Sequence, residues 1–261
     1  MDMSKIGLLL VGHGASSGGG GAVRRLAQRL AAQGRFSEVA ACFWKESPSV
    51  EEGLGLVKSP VVLVVPVFAT EGRIARELIP ARLGLSGEVS RVIDGRTLHY
   101  LRPVGVHPAL AELADERARR AASIAEFEIK RTGLLLIAHG NRQGVGARAS
   151  AEALADKLRA KGDWQEVTAL FLEEEPKAAA WRERTKSLDM VVLPLLLAQG
   201  QHAARDVAPL FGLQEMPDGD VQRLTFEGRR LALMRGLADD QALAGIILQM
   251  CEEALSRPSP R

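Results

Sequence analysis

The sequence is poor in the residues that disulfide-stapled and cluster-binding proteins depend on. Only two cysteines, Cys42 and Cys251, occur among 261 residues. Two thiols so far apart build no disulfide framework and cannot alone hold an iron–sulfur cluster, so both read as small buried hydrophobes. Aromatic residues make up 4% of the chain, with a single tyrosine, and the core must therefore come from Ala, Leu and Val. No apolar run approaches the roughly 18 residues of a membrane span. Ile6–Val11 is also too short for a signal-peptide core. The chain reads as cytoplasmic, with no membrane partner. Its net charge is only +2 and no basic stripe stands out, which argues against nucleic acid as a partner. The phosphate-binding pattern G-x-x-x-x-G-K-[ST] is absent, and Gly12-x-Gly14 lacks the third glycine of a dinucleotide fingerprint.

What is present is one phrase written twice. Leu134–Gly144 reads LLLIAHGNRQG, an apolar run that ends on His139 and Gly140 and opens into a polar loop. Leu8–Gly14 reads LLLVGHG and ends on His13. A short, wholly apolar run bounded by glycine is the pattern of a strand buried on both faces. In an open α/β sheet, ligands bind at the carboxyl ends of such strands, which places both histidines at the mouth of a site.

After His13 come Ser16, Ser17 and the glycines Gly18–Gly21, a loop flexible enough for a flat ligand to approach the backbone. Val23, Leu26, Ala27 and Leu30 then form one helical face, and Gly34 stops that helix. Glu38–Phe43 predicts a second strand, Pro48 a helix start, Pro60–Phe68 a third strand, and Thr70–Leu83 a further helix. The second half repeats these landmarks with a constant shift of 128 residues, from Ala151, Leu154, Ala155 and Leu158 through Trp164, Phe171, Pro176 and Pro194 to Gly200. Asp94-Gly95-Arg96 resembles Glu227-Gly228-Arg229, and each is expected to lead into a helix. Strands alternating with helices imply α/β lobes built on parallel sheets with right-handed crossovers. We expect two such lobes, 1–125 and 126–261, joined near Arg119–Thr132, with their sites facing each other across a cleft. The chain would be a monomer of two lobes or a weak homodimer. The tail Ser256–Arg261 reads as disordered.

The copies differ where chemistry is expected. Pro194–Pro209 of the second copy places His202 two residues after Gly200, with Asp206 one helical turn further on. The first copy has Ile74 and Leu78 at those places. The second copy therefore carries two strand-end histidines, His139 and His202, and the first carries one. Paired imidazoles suit a late divalent metal, and equally suit proton transfer near neutral pH. His13 is either a relic of duplication or a lining residue. His99 and His107 fall outside the repeated landmarks and read as surface.

His139-Gly140 after the first strand, Phe171-Leu172-Glu173 with Pro176 after the second, and Gly200-Gln201-His202 through Asp206 after the third resemble the motifs of the sirohydrochlorin chelatases. This family inserts cobalt, iron or nickel into a tetrapyrrole, and the likeness covers most of both halves, as in its long, two-lobed members. Those members tend to keep the histidine pair in the first lobe, whereas here it stands in the second. The resemblance implies His139 and His202 as metal ligands, proton acceptors or both, with Glu173 or Glu174 completing the ligand set or relaying protons. It implies a divalent metal (Co2+, or Fe2+ or Ni2+) as substrate, no organic cofactor, and a small-molecule tetrapyrrole partner. Arg142 and Arg205 would hold its carboxylates, with Arg73 and Arg76 in the matching first-lobe loop, and Gly140, Gly200 and His13 would line the ring. Histidine phosphatases also follow a strand with His-Gly, but they require a preceding arginine, and here Gly12 and Ala138 stand there. A non-catalytic metal or tetrapyrrole carrier is the alternative reading.

Overall fold

A computed structural model describes residues 2–15, 19–85, 90–140, 145–195, 206–216, 219–237 and 241–256. The expectations for Arg142, Gly200, His202, Arg205, Ser16–Gly18 and residues 257–261 fall outside the described residues. The two apolar phrases form β1 (Ile6–Gly12) and β6 (Thr132–Ala138), each buried along its whole length. β1 lies between β2 (Glu38–Phe43) and β3 (Val61–Pro66), and β6 between β7 (Glu166–Phe171) and β8 (Asp189–Pro194), all in parallel. A strand flanked on both edges and covered on both faces has no position for a polar side chain, hence the unbroken runs of Leu, Ile and Val.

The sheets are not purely parallel. β5 (Arg96–Tyr100) and β10 (Arg229–Met234) extend them in parallel, but β4 (Ser90–Ile93) and β9 (Val221–Phe226) close one edge antiparallel. The strand orders are β2-β1-β3-β5-β4 and β7-β6-β8-β10-β9. Asp94-Gly95 and Glu227-Gly228 are therefore hairpin turns followed by strands, not approaches to helices. All four residues have positive φ, from 48° to 79°, which is the geometry a two-residue hairpin turn demands and the reason glycine occupies its second position. His99 lies within β5, against the expectation of a surface site, and burial holds its imidazole below the usual range. The His107 side chain is only 9% exposed and lies 3.5 Å from Glu253.

The helices are α1 (Gly21–Ala32), α2 (Val50–Gly53), α3 (Ile79–Arg82), α4 (Pro108–Ile124), α5 (Val145–Lys161), α6 (Trp181–Arg184) and α7 (Ala242–Ser256). α1 buries Val23, Leu26, Ala27 and Leu30, and α5 buries Ala151, Leu154, Ala155 and Leu158, the faces expected from the repeat. Gly34 and Gly162 end them at φ 64° and 71°. Two further contacts are duplicated. At the amino end of β2, Glu38 accepts backbone hydrogen bonds from Lys58 and Ser59, as Glu166 does from Lys186 and Ser187. Arg96 donates to the carbonyls of Leu54 and Val57, and Arg229 to those of Arg182 and Thr185. These arginines satisfy carbonyls at the ends of short helical turns, which explains why arginine follows both hairpin glycines.

The compact units do not break at 125/126. One gathers β1–β5 with α7, and the other gathers α4 with β6–β10. α4 buries Leu110, Ala111, Leu113, Ala114, Ala118, Ala121 and Ala122 and packs with β8, β10 and α5. α7 buries Leu243, Ile246, Ile247 and Met250, and lies beside α1, where Glu252 pairs with Arg35 at 2.7 Å. The expected joint Arg119–Thr132 is no loose linker, since Arg119 belongs to α4 and Thr132 is the fully buried first residue of β6. A repeat period gives the order of elements and leaves open which sheet a helix covers. Both cysteines are buried free thiols, and burial pushes each pKa up to about 12. No described helix is long and apolar enough to cross a membrane.

α4 is anchored through Asp115, 5% exposed. Its carboxylate accepts from Trp164 Nε1, Arg119 Nε and Lys161 Nζ, each at 3.0 Å. Burial alone would raise its pKa, but these three donors outweigh that cost and hold it below the usual carboxylate range. Asp115→Asn leaves one lone-pair set facing two cations and is expected to lose about 1–3 kcal/mol at neutral pH. Because the folded-state pKa is depressed, the contribution is complete above the unfolded value and disappears as pH falls through the folded one. The gap in denaturation midpoint between wild type and Asp115→Asn should therefore hold from pH 7 to 5 and narrow below about pH 4.

Candidate metal centre

β6 delivers His139 to the site by running out of sheet. Thr132 to Ala138 are all buried, and burial ends at His139. β7 overruns beside it, so that Leu172 N donates to Ala138 O at 3.0 Å and Glu173 N to His139 O at 2.9 Å. This carries the parallel ladder two residues beyond the strand and sets Glu173 next to the histidine. The imidazole Nε2 then lies 3.9 Å from Glu173 Oε1, with the side chains 42% and 49% exposed. That separation is too long for a hydrogen bond. It is within the span that two bonds of about 2.1 Å to a shared ion can bridge. An accessible imidazole and carboxylate at this distance form two parts of a nitrogen–oxygen ligand set for a late divalent metal.

Gly140 makes the turn possible. Its φ is 77°, a conformation costly for residues with a Cβ. An added Cβ would lie 2.9 Å from Glu174 Cγ and 3.1 Å from Phe171 Cβ. Of the two glutamates considered from sequence, Glu173 is the one paired with the imidazole, and Glu174 packs beneath the Gly140 backbone.

The first repeat has the same framework. Trp44 N donates to Gly12 O at 3.0 Å and Lys45 N to His13 O at 2.8 Å. Gly14 turns at φ 66°, where a Cβ would come within 2.7 Å of Glu46 Cβ. Glu46 also accepts from Gly20 N at 2.8 Å and pairs with Arg24, so it organises the glycine loop from below. Gly20 itself has a packing reason, since a Cβ there would lie 2.4 Å from the Phe43 ring. His13 Nδ1 donates to Gly14 O at 2.9 Å and its ring meets Phe68 edge-on at 6.2 Å. Arg73 lies 3.5 Å from Glu77. Of the residues expected at the site, the structure brings together His139, Gly140 and Glu173, and it places His13 at the equivalent point of the first repeat. Asp206 is exposed. Among the described residues no group of three or more His, Cys, Asp or Glu side chains is gathered as a metal cage. The sequence analysis passed over Lys45, although the shift of 128 residues aligns it with Glu173.

Gly140→Ala is expected to destabilise the chain by about 1–2 kcal/mol and to displace the histidine loop. Thermal denaturation, with Gly162→Ala as an open-space control at φ 71°, separates the crowding at Gly140 from the conformational cost common to both.

The sequence model of the CbiX family matches residues 7–121 and again 133–254, which accounts for nearly the whole chain and for the duplication. A probable sirohydrochlorin cobaltochelatase of Halobacterium salinarum is 30% identical over 218 residues, 77% of this chain and 74% of that protein. Among solved structures, a multi-domain protein of Deinococcus radiodurans, described as structurally similar to chelatases with two additional domains, superposes with a TM-score of 0.77. Its identity is 26%, and the match covers 99% of this chain and 56% of that one. This chain thus spans little more than half of the Deinococcus protein. CbiX, described as the terminal enzyme of siroheme biosynthesis in denitrifying bacteria, shares the fold at a TM-score of 0.70 and 20% identity, over 96% of this chain and 99% of that one. The repeated family match and the archaeal relative place this chain in the CbiX family of sirohydrochlorin chelatases.

Proposed function

We propose that this chain inserts a divalent metal, cobalt foremost, into sirohydrochlorin without ATP, at the second repeat. The observation that carries the reading is the His139 imidazole and Glu173 carboxylate standing 3.9 Å apart at adjoining strand ends in a member of the CbiX family. The cobalt preference rests on the name of the archaeal relative.

Insertion exchanges two pyrrole N–H protons for one divalent ion, so the charge on the ring is unchanged and two protons must leave. His139 and Glu173 take the ion from water, and His202, the second histidine of this repeat, supplies a further imidazole. Nitrogen and oxygen donors on rigid strand ends hold a partly dehydrated ion without enclosing it, so ring nitrogens can replace them one at a time. As each protein ligand is released, its lone pair becomes a base at the place where a pyrrole proton departs. Asp206 orients the loop that carries His202, and Arg142 and Arg205 pair with ring carboxylates.

Anaerobic insertion followed by the absorbance change of sirohydrochlorin tests this with Co2+, Fe2+ and Ni2+ against the uncatalysed rate. Wild type accelerates insertion, and Co2+ is the fastest of the three. His139→Ala and His202→Ala lose about 100-fold or more of turnover, and Glu173→Gln about 10- to 100-fold. His13→Ala raises KM for the ring and keeps turnover at saturation. A wild-type chain that binds the ring yet matches the uncatalysed rate with every metal would be a carrier, and the enzymatic reading would fall.

A further inference from the structure

The two repeats hold opposite charges at the same backbone position. Lys45 and Glu173 each follow the second strand of their repeat by two residues, and each donates its N–H to the carbonyl of the strand-end histidine, at 2.8 Å and 2.9 Å. The main chain is thus superimposable in role, but one side chain is an ammonium and the other a carboxylate. The third donor is lost as well. Ile74 occupies the place of His202 in the shared register and packs against the core of Leu9, Val62, Ile79 and Leu98. The first repeat keeps one donor of the three, with a cation beside it that opposes metal binding. The other described arginines that follow strands at this end are matched by acids: Arg73 by Glu77 at 3.5 Å, and Arg102 by Glu71 at 2.8 Å. Lys45 is exposed, and no carboxylate pairs with it among the described residues.

We propose that the first repeat has exchanged its metal site for an anion site, in which Lys45 beside His13 takes a carboxylate of the tetrapyrrole. This rests on the chelatase reading above and extends it by assigning the half of the chain that cannot ligate metal to recognition of the acidic ring. Lys45 is a specificity determinant and touches no reacting atom.

Titration of the full-length chain with metal-free sirohydrochlorin tests the assignment. Lys45→Glu weakens ring affinity by about tenfold or more, raises KM in parallel, and leaves kcat at saturating ring within about twofold. Lys45→Arg keeps ring affinity within about twofold, because the charge is retained. Added salt weakens wild-type binding more steeply than that of Lys45→Glu. Binding of Co2+ without the ring is undiminished by Lys45→Glu. Unchanged ring affinity in Lys45→Glu overturns the proposal, as does a loss of Co2+ affinity in that variant, which would place Lys45 with the metal. A wild-type chain that fails to bind the ring at all removes the chelatase reading itself, and with it this one.

Discussion

Each histidine loop depends on a hydrogen bond that outlasts the sheet. The strand beside it runs on for two residues and donates an N–H to the histidine carbonyl, at 2.8 Å for His13 and 2.9 Å for His139. A main-chain bond at that point fixes where the side chains on both partners emerge, without regard to what those side chains are. The glycine that follows must then turn through positive φ with no room for a Cβ. Together these two constraints make a rigid shelf on which residues of different chemistry can be exchanged at little cost to the fold. The second repeat uses the shelf for an imidazole and a carboxylate, and the first for an imidazole and an ammonium.

Much of the architecture was legible because the sequence contains its own comparison. The constant shift of 128 residues located the strands and the buried faces of α1 and α5, and the His-Gly phrases marked the strand ends. What escaped was decided by tertiary context. Asp94-Gly95 is a hairpin signal of the kind that two-residue turns require, but β4 on its near side lacks a long apolar run, and its pairing with β5 shows only in the sheet. His99 reads as a polar surface residue until β3 and β4 are placed on either side of β5. The affiliation of α4 is invisible to periodicity, because an alanine-rich face fits either sheet.

At the candidate site, sequence spacing identified His139 and Glu173, and the strand overrun explains why they meet: parallel register brings the residue after β6 level with the second residue after β7. Spacing could not choose between Glu173 and Glu174, which alternate sides as the chain leaves the strand. One faces the imidazole and the other supports Gly140. Nor did the search for a shared motif single out Lys45, since attention to what two copies have in common passes over a position where they differ in charge.

The distribution of helices between the compact units has a consequence for how such a chain arises. α4 follows the first sheet in sequence but belongs with the second, and α7 follows the second sheet but belongs with the first. A chain of one repeat could complete its unit only by taking the helix of another copy, the arrangement of a domain-swapped homodimer. Joining two repeats makes that exchange intramolecular. Assembly then no longer varies with protomer concentration, and the two copies of the shelf, now encoded separately, are free to acquire different residues.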